Sequence, residues 1–115
     1  MRSGFERIIA KLLRNGRINF KYEPFSLSYT IKRKYTPDFV LDNGIIIEAK
    51  GRFTSADRTK MLRVKETHPE LDIRLWFQSD NWLTKKHTMR YSDWANKNGF
   101  KYHVGEEIPK KWLSK

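Results

Sequence analysis

Two carboxylates and one lysine lie close together in two neighbouring predicted strands. Asp38 follows Pro37 in the first strand, and Glu48 and Lys50 end the second. Because side chains alternate between the two faces of a strand, Glu48 and Lys50 project from the same face. Mg²⁺ binds through one or two carboxylates together with waters and substrate phosphates. The spacing therefore predicts a cation site at which Lys50 contacts an attacking water or a phosphate.

The register of the two strands decides whether the carboxylates meet. Residues 42–44, Asp-Asn-Gly, are typical of a hairpin turn. If these three residues form the loop, Leu41 pairs with Ile45 and Asp38 lies directly opposite Glu48. Opposed Cβ atoms are roughly 4.5–5.5 Å apart. A loop one residue shorter would place Asp38 opposite Ala49 instead and separate the pair.

The alternative is a surface hairpin whose polar ends alternate by chance. Against it, the run Ile45–Ile47 is apolar on both faces, which predicts a strand that is buried on both sides. A carboxylate that continues such a run is costly unless something satisfies it. The cation site is therefore the favoured interpretation.

A helix is predicted at the start of the chain. Ser3 and Glu6 have the spacing of a capping box, and apolar residues then recur at helical spacing until Asn15-Gly16. Glu6 lies at the border of the apolar face. From its position alone, Glu6 either closes the cap or faces the site from the edge of the core.

The remaining pattern predicts an α/β fold with a mixed central β-sheet and flanking helices in a single domain, residues 1–115. Strands are predicted near residues 18–22 and 25–31, followed by a basic turn at 32–34. A basic helix follows, which Thr54 or Ser55 can cap and which reaches about Thr67. A strand from Leu71, a short helix capped by Ser92 and a last strand complete the order α-β-β-β-β-α-β-α-β.

Composition favours a nucleic-acid partner. The net charge is +11, and residues 1–35 hold nine Lys/Arg against two Glu, so the front third is the expected phosphate-facing surface. The chain has no Cys and no long apolar run, which predicts no disulfide framework, no membrane association and a cytoplasmic location. In the loop 79–89, Trp82 is either a base-stacking residue or a core residue.

Several segments together resemble the phage endonuclease I family, the Holliday-junction resolvases of podovirus-type phages, within the PD-(D/E)xK nucleases. The resemblance spans nearly the whole chain. It is carried by Arg2-Ser3-Gly4 with Glu6, Tyr35-Thr36-Pro37-Asp38-Phe39, Asn43-Gly44-Ile45, Glu48-x-Lys50-Gly51, His68-Pro69-Glu70-Leu71-Asp72-Ile73-Arg74, and Ile108-Pro109 with Trp112. It implies a restriction-endonuclease-like core, structure-selective cleavage of branched DNA such as the four-way junction, and a phage-encoded enzyme acting in a bacterial host.

The resemblance also implies roles for individual residues. Glu6, Asp38, Glu48 and Lys50 would be catalytic. Asp38 and Glu48, with the carbonyl of Ala49, would hold one Mg²⁺ or Mn²⁺, and Asp38 and Glu6 would hold a second. Lys50 would orient or help deprotonate water and stabilise the developing charge. The candidate DNA contacts are Arg2, Arg7, Lys11, Lys32, Arg33, Lys34, Arg52, Lys85 and Lys86.

The family likeness further implies a domain-swapped homodimer with shared active sites. Residues 1–24 would be exchanged between subunits, and residues 25–34 would form the bridging strand. The alternative is a monomer or an unswapped dimer in which Glu6 reaches its own Asp38. Two rival functions remain: another PD-(D/E)xK nuclease of restriction, mismatch-nicking or homing type, and a basic nucleic-acid-binding module without catalytic activity.

Overall fold

A computed structural model describes residues 3–29 and 33–113 of the chain. It contains three α-helices, seven strands and one 3₁₀ turn within those residues. In chain order they are α1 (Gly4–Asn15), β1 (Phe20–Tyr22), β2 (Leu27–Tyr29), β3 (Arg33–Tyr35), β4 (Phe39–Leu41), β5 (Ile46–Lys50), α2 (Ser55–Thr67), β6 (Ile73–Phe77), α3 (Tyr91–Lys97), β7 (Lys101–Val104) and the 3₁₀ turn Lys110–Trp112.

Five strands form one mixed sheet in the order β1-β4-β5-β6-β7. β4 is antiparallel to both β1 and β5, whereas β5, β6 and β7 run parallel. The start of β4 and the end of β5 therefore lie side by side at the same end of the sheet. This arrangement confirms the predicted mixed sheet with flanking helices.

The sheet separates two apolar layers. α2 and α3 cover one face, where Met61 and Val64 pack with Ile46 and Leu75. α1 covers the other face together with Trp112 of the 3₁₀ turn. Because residues of β5 alternate between these layers, Glu48 and Lys50 face the side of α2, and Ala49 faces the side of α1.

The two long helices begin with the caps that the sequence predicts. The Ser3 hydroxyl accepts the Glu6 N–H at 3.0 Å at the start of α1. Thr54 and Asp57 form a complete capping box at the start of α2. In α3 the prediction was wrong: the helix begins after Arg90, and Asp93, not Ser92, accepts the Arg90 N–H at 2.9 Å.

The segment between β1 and β4 also differs from the prediction. Residues 25–31 are predicted as one strand and residues 32–34 as a turn, but β2 begins at Leu27 and Arg33–Tyr35 is itself a strand. Residues 30–32 of this prediction lie outside the part of the chain that the structure describes. β2 and β3 pair antiparallel as a separate two-stranded sheet. Within this chain α1 and β1 pack on the chain's own sheet, since β1 pairs with β4. No helix within the described residues is long and apolar enough to cross a membrane.

Candidate active site

The β4–β5 hairpin has the predicted register. Phe39 pairs with Ile47, and the Leu41 N–H donates to the Ile45 carbonyl at 2.9 Å. Gly44 has a φ of 91°, a conformation that glycine adopts without strain. One residue beyond the pair Phe39 and Ile47, the same register places Asp38 directly opposite Glu48, as the sequence predicts.

Asp38 also contacts the backbone of both neighbouring strands. Its Oδ2 accepts a hydrogen bond of 2.9 Å from the Ala49 N–H, and its carbonyl accepts one of 3.2 Å from the Glu23 N–H. The same register places Pro37 opposite Ala49, and proline has no N–H to donate to the Ala49 carbonyl. This carbonyl therefore receives no hydrogen bond from residue 37, and it belongs to the residue whose N–H the Asp38 carboxylate accepts.

Glu48 is only 1% exposed and is the most deeply buried carboxylate of the site. The Tyr35 hydroxyl donates a hydrogen bond of 2.5 Å to its Oε1. Burial raises the pKa of Glu48, and the cations Lys50 and Lys60 act against this shift. Lys60, on α2, also lies 5.6 Å from the centre of the Tyr35 ring. The Glu48 carboxylate is therefore held in a fixed orientation by groups on β3 and α2.

The carboxylates strongly affect one another. The pKa of Asp38 is raised to about 8, mainly by burial and then by the charge of Glu48, with a further contribution from Glu6. A pKa shift of this kind is typical of carboxylates that share a site without a cation between them. A divalent cation would remove the repulsion, so the shift fits a metal-binding role.

Glu6 performs both roles that its position left open. Its own N–H belongs to the α1 cap, and its Oε1 accepts the Ser3 hydroxyl at 3.2 Å. Its Oε2 accepts the Tyr22 hydroxyl at 2.6 Å. Carboxylate oxygens of Glu6, Glu23 and Asp38 lie within 4.8 Å of one another, which is close enough to ligate one ion. Within the described chain, Glu6 therefore reaches Asp38 of the same chain.

Glu23 is a candidate ligand that the sequence analysis missed. It follows β1 and has a φ of 46°, a left-handed conformation that costs about 1–3 kcal/mol in a residue other than glycine. This conformation places its carboxylate beside Asp38 instead of along the strand. The only available signal was an acidic residue at the end of a strand, and it becomes informative once β1 is known to pair with β4.

Lys50 faces the same side of the sheet as Glu48 and forms an ion pair with Asp57 of α2, with Nζ and Oδ1 3.3 Å apart. Burial alone would lower the pKa of Lys50, but the charges of Glu48, Asp57 and Asp38 raise it above its usual value. Lys50 is therefore an ammonium group near neutral pH, suited to bind a phosphate oxygen or to stabilise negative charge.

The candidate DNA contacts that the structure describes lie on several elements of the fold. Arg7 and Lys11 are exposed on α1, which covers the face of the sheet opposite Lys50. Arg52 and Lys85 come together in one groove. Lys34 is exposed on β3, and Lys86 is exposed in the loop after β6, next to Lys85 in the chain. Arg2, Lys32 and the side chain of Arg33 lie outside the part of the chain that the structure describes.

One end of the mixed sheet presents several carboxylates, a backbone carbonyl and a lysine. A metal-dependent phosphodiester hydrolase uses groups of these kinds. The model of the phage endonuclease I family matches residues 1–115. Endonuclease I of Escherichia phage T7 is 41% identical over 116 residues, which cover 97% of this chain and 77% of that protein. Endodeoxyribonuclease 1 of Enterobacteria phage T3 is 46% identical over 102 residues, which cover 85% of this chain and 67% of its length. The chain belongs to the phage endonuclease I family, which confirms the resemblance in its sequence.

Proposed function

We propose that this protein is a structure-selective endodeoxyribonuclease that resolves four-way (Holliday) and other branched DNA junctions by metal-dependent phosphodiester hydrolysis. The observation that carries the proposal is the position of Asp38 opposite Glu48, beside Glu6 and on the same face as Lys50. Family membership supports it, because both relatives are named endonucleases. Their phage origin points to the cytoplasm of a bacterial host as the place of action.

The donor set fits hard divalent cations. Carboxylate and carbonyl oxygens are the ligands of Mg²⁺ and Mn²⁺, and the described site contributes oxygen donors from four carboxylates. Asp38, Glu48 and the Ala49 carbonyl would hold one ion, and Asp38 and Glu6, with Glu23, would hold a second. When bound, the pair of ions would stabilise the attacking and leaving oxygens of an in-line displacement.

The protein's own groups then position and charge the site. The Lys50 ammonium group binds a non-bridging phosphate oxygen and stabilises the negative charge on the phosphoryl oxygens in the transition state. Asp57 fixes the direction of that ammonium group through their ion pair. Tyr35 holds Glu48 in one orientation. These contacts mean that little of the site has to reorganise when the substrate binds.

A homodimer with shared active sites accounts for paired cuts. A four-way junction has near two-fold symmetry, and a two-fold dimer presents two sites related by the same operation. We infer that residues 1–24 are exchanged between subunits, with residues 25–34 as the bridge, so that Glu6 of one chain joins Asp38 of the other. In a swapped dimer, α1 and β1 would make with the partner chain the same contacts that they make here within one chain. The geometry of the site is therefore compatible with either arrangement.

The test compares a four-way junction with a linear duplex that has the same arm sequences. With Mg²⁺ or Mn²⁺ we expect cuts near the branch point of the junction, and with EDTA we expect binding without cutting. Cutting of the linear duplex at a defined sequence would favour a restriction-type or homing-type nuclease. Binding without cutting under every metal condition would favour a non-catalytic binding module.

A further inference from the structure

A groove lies between the first turn of α2 and the loop that follows β6. Its volume is about 530 Å³. This volume is in the range of pockets that bind small ligands, and it is large enough for a single nucleotide.

The groove is cationic. Arg52, Arg58 and Lys85 line it, and none of its lining residues in the described chain is acidic. Arg58 is held in place because its Nη1 donates to the Phe53 carbonyl at 2.9 Å. The N-terminus of α2, a helix of 13 residues, opens into the same space at Ser55 and adds its partial positive charge. An anion such as a phosphate would therefore complement the positive charge of this groove.

One wall of the groove is an ordered aromatic stack. The ring of His87 lies 5.0 Å from that of Trp82, centre to centre, at an angle of 15°. The guanidinium of Arg90 lies 4.1 Å from the centre of the indole and is anchored by a hydrogen bond of 2.9 Å to the Asp80 carbonyl. His87 has a φ of 52°, a left-handed conformation that is uncommon in residues other than glycine.

Trp82 is 37% exposed, so it is not the core residue that its sequence position allowed. Both Trp82 and His87 present surface to the groove. Aromatic side chains held rigid beside cations are the arrangement on which unpaired bases stack. The wall therefore offers a surface for a base next to the position for a phosphate.

The groove is directly connected to the catalytic lysine. The Thr54 hydroxyl, at the groove, donates to Asp57 Oδ2 at 2.9 Å, and Asp57 Oδ1 forms the ion pair with Lys50. Arg52 is two residues beyond Lys50 in the chain. A nucleotide in the groove would thus lie next to the phosphate that Lys50 contacts.

We propose that this groove binds one unpaired nucleotide of the DNA substrate beside the scissile phosphate. Its phosphate contacts Arg52, Arg58 and Lys85. Its base stacks on the outer face of the His87 ring, because His87 and the Arg90 guanidinium already cover the two faces of the Trp82 indole that holds His87 in place. This inference rests on the proposed function and makes it more specific: branch points with an unpaired nucleotide are bound more tightly than fully paired ones. A paired base cannot use the wall, because both of its faces are stacked within the helix.

The experiment measures binding in EDTA, so it does not depend on cleavage. Two four-way junctions are compared, one fully paired and one with a single unpaired 2-aminopurine at the branch point. With the full-length wild-type protein we expect quenching of the 2-aminopurine fluorescence and tighter binding of the second junction. Trp82→Ala should reduce the ratio of the two dissociation constants by about 5- to 150-fold, the range of base–aromatic stacking. Trp82→Phe should retain most of that ratio.

A second pair of variants tests the contribution of the positive charge in the groove. Lys85→Ala and Lys110→Ala each remove one exposed cation, but Lys110 lies outside the groove. We expect only Lys85→Ala to lower the preference for the unpaired nucleotide. Equal affinity of wild-type protein for the two junctions, or an unchanged ratio in a folded Trp82→Ala protein, would overturn the inference. If Trp82→Ala does not fold, the Lys85→Ala and Lys110→Ala pair decides. If the proposed function were wrong, the wild-type protein would show this binding preference but no metal-dependent cutting.

Discussion

The Oδ2 atom of Asp38 accepts a hydrogen bond of 2.9 Å from the backbone N–H of Ala49. In a regular antiparallel pair that N–H would donate to the carbonyl of residue 37, so a side chain here replaces a strand contact. The replacement fixes the Asp38 carboxylate beside the Ala49 carbonyl, which faces Pro37 and receives no N–H from it. Pro37 thus ends the hydrogen bonding between β4 and β5. The Asp38 carboxylate and the Ala49 carbonyl are left as oxygen ligands that a cation can use.

The raised pKa of Asp38 makes the stability of the metal-free protein depend on pH. The folded pKa is about 8 and the ordinary value 3.8, so between these values the folded state holds a proton that the unfolded state has lost. The stabilisation is complete below pH 3.8 and is lost as the pH rises towards 8. In EDTA, we expect the unfolding temperature of wild-type protein to fall between about pH 5 and pH 8.

Asp38→Asn is the matched variant for this prediction, because the amide keeps an oxygen acceptor for the Ala49 N–H and does not titrate. Its unfolding temperature should fall less over the same range. Adding Mg²⁺ at pH 8 should stabilise the wild type more than the variant, since a ligand that binds the folded state raises stability. Parallel pH curves for the two proteins would contradict the prediction.

Asp57 is predicted to position Lys50. Asp57→Asn removes the ion pair but keeps an oxygen that can accept the Thr54 N–H of the helix cap. We expect kcat to fall by about 10- to 100-fold with little change in KM, because misplacement of a catalytic group has costs of this order. The pKa of Lys50 should also fall with the loss of one carboxylate neighbour, so the alkaline limb of the rate profile should move to lower pH.

Asp93→Asn is the control for the helix cap. Asp93 accepts the Arg90 N–H at 2.9 Å in α3, as Asp57 accepts the Thr54 N–H in α2, but its interactions do not include Lys50. Its variant should cut at the wild-type rate. A similar loss of kcat in both variants would show that Asp57 acts only through the stability of its helix.

Glu23 is predicted to strengthen cation binding. Glu23→Gln removes one of three carboxylates whose oxygens lie within 4.8 Å of one another. We expect the Mg²⁺ concentration for half-maximal cutting to rise, with part of the rate recovered at saturating Mg²⁺. Asp42→Asn, in the exposed hairpin loop, makes the same change in net charge away from the site. Equal metal requirements in the two variants would rule out Glu23 as a ligand.

Much of the site was predictable from short-range patterns. The Asn-Gly turn and the apolar run Ile45–Ile47 determine the hairpin register, and that register alone places Asp38 opposite Glu48. The helix caps at Ser3 and Thr54 were predictable for the same reason, since each depends on residues three apart. Sequence patterns of this kind predict contacts between residues that are close in the chain.

The contacts that could not be predicted are between elements distant in sequence. Glu23 joins the site only because β1 pairs with β4, and its left-handed φ is not visible in the sequence. Tyr35 and Asp57 became identifiable only when β3 and α2 were placed against β5. The alternation in residues 25–31 predicts a strand from Phe25, but β2, which pairs with Arg33–Tyr35, begins at Leu27.

Sharing of the active site between subunits is tested by complementation. Glu6→Gln and Glu48→Gln proteins are mixed under conditions that exchange subunits, and nicking of a four-way junction is followed. If Glu6 acts in trans, a mixed dimer has one site with both changes and one intact site, so single-strand nicking returns. If Glu6 acts on its own Asp38, each site keeps one change and nicking does not return.

The central claim is that the carboxylates around Asp38 bind the divalent cation that cutting requires. The most direct measurement is the anomalous diffraction of crystals soaked in Mn²⁺ at a concentration that supports cutting in solution. We predict a peak within about 2.2 Å of oxygens from Asp38, Glu48 and the Ala49 carbonyl, a distance typical of hard cations of this size. In Asp38→Asn crystals that peak should be lost. Mn²⁺ bound elsewhere, with none at Asp38 in an active protein, would contradict the account.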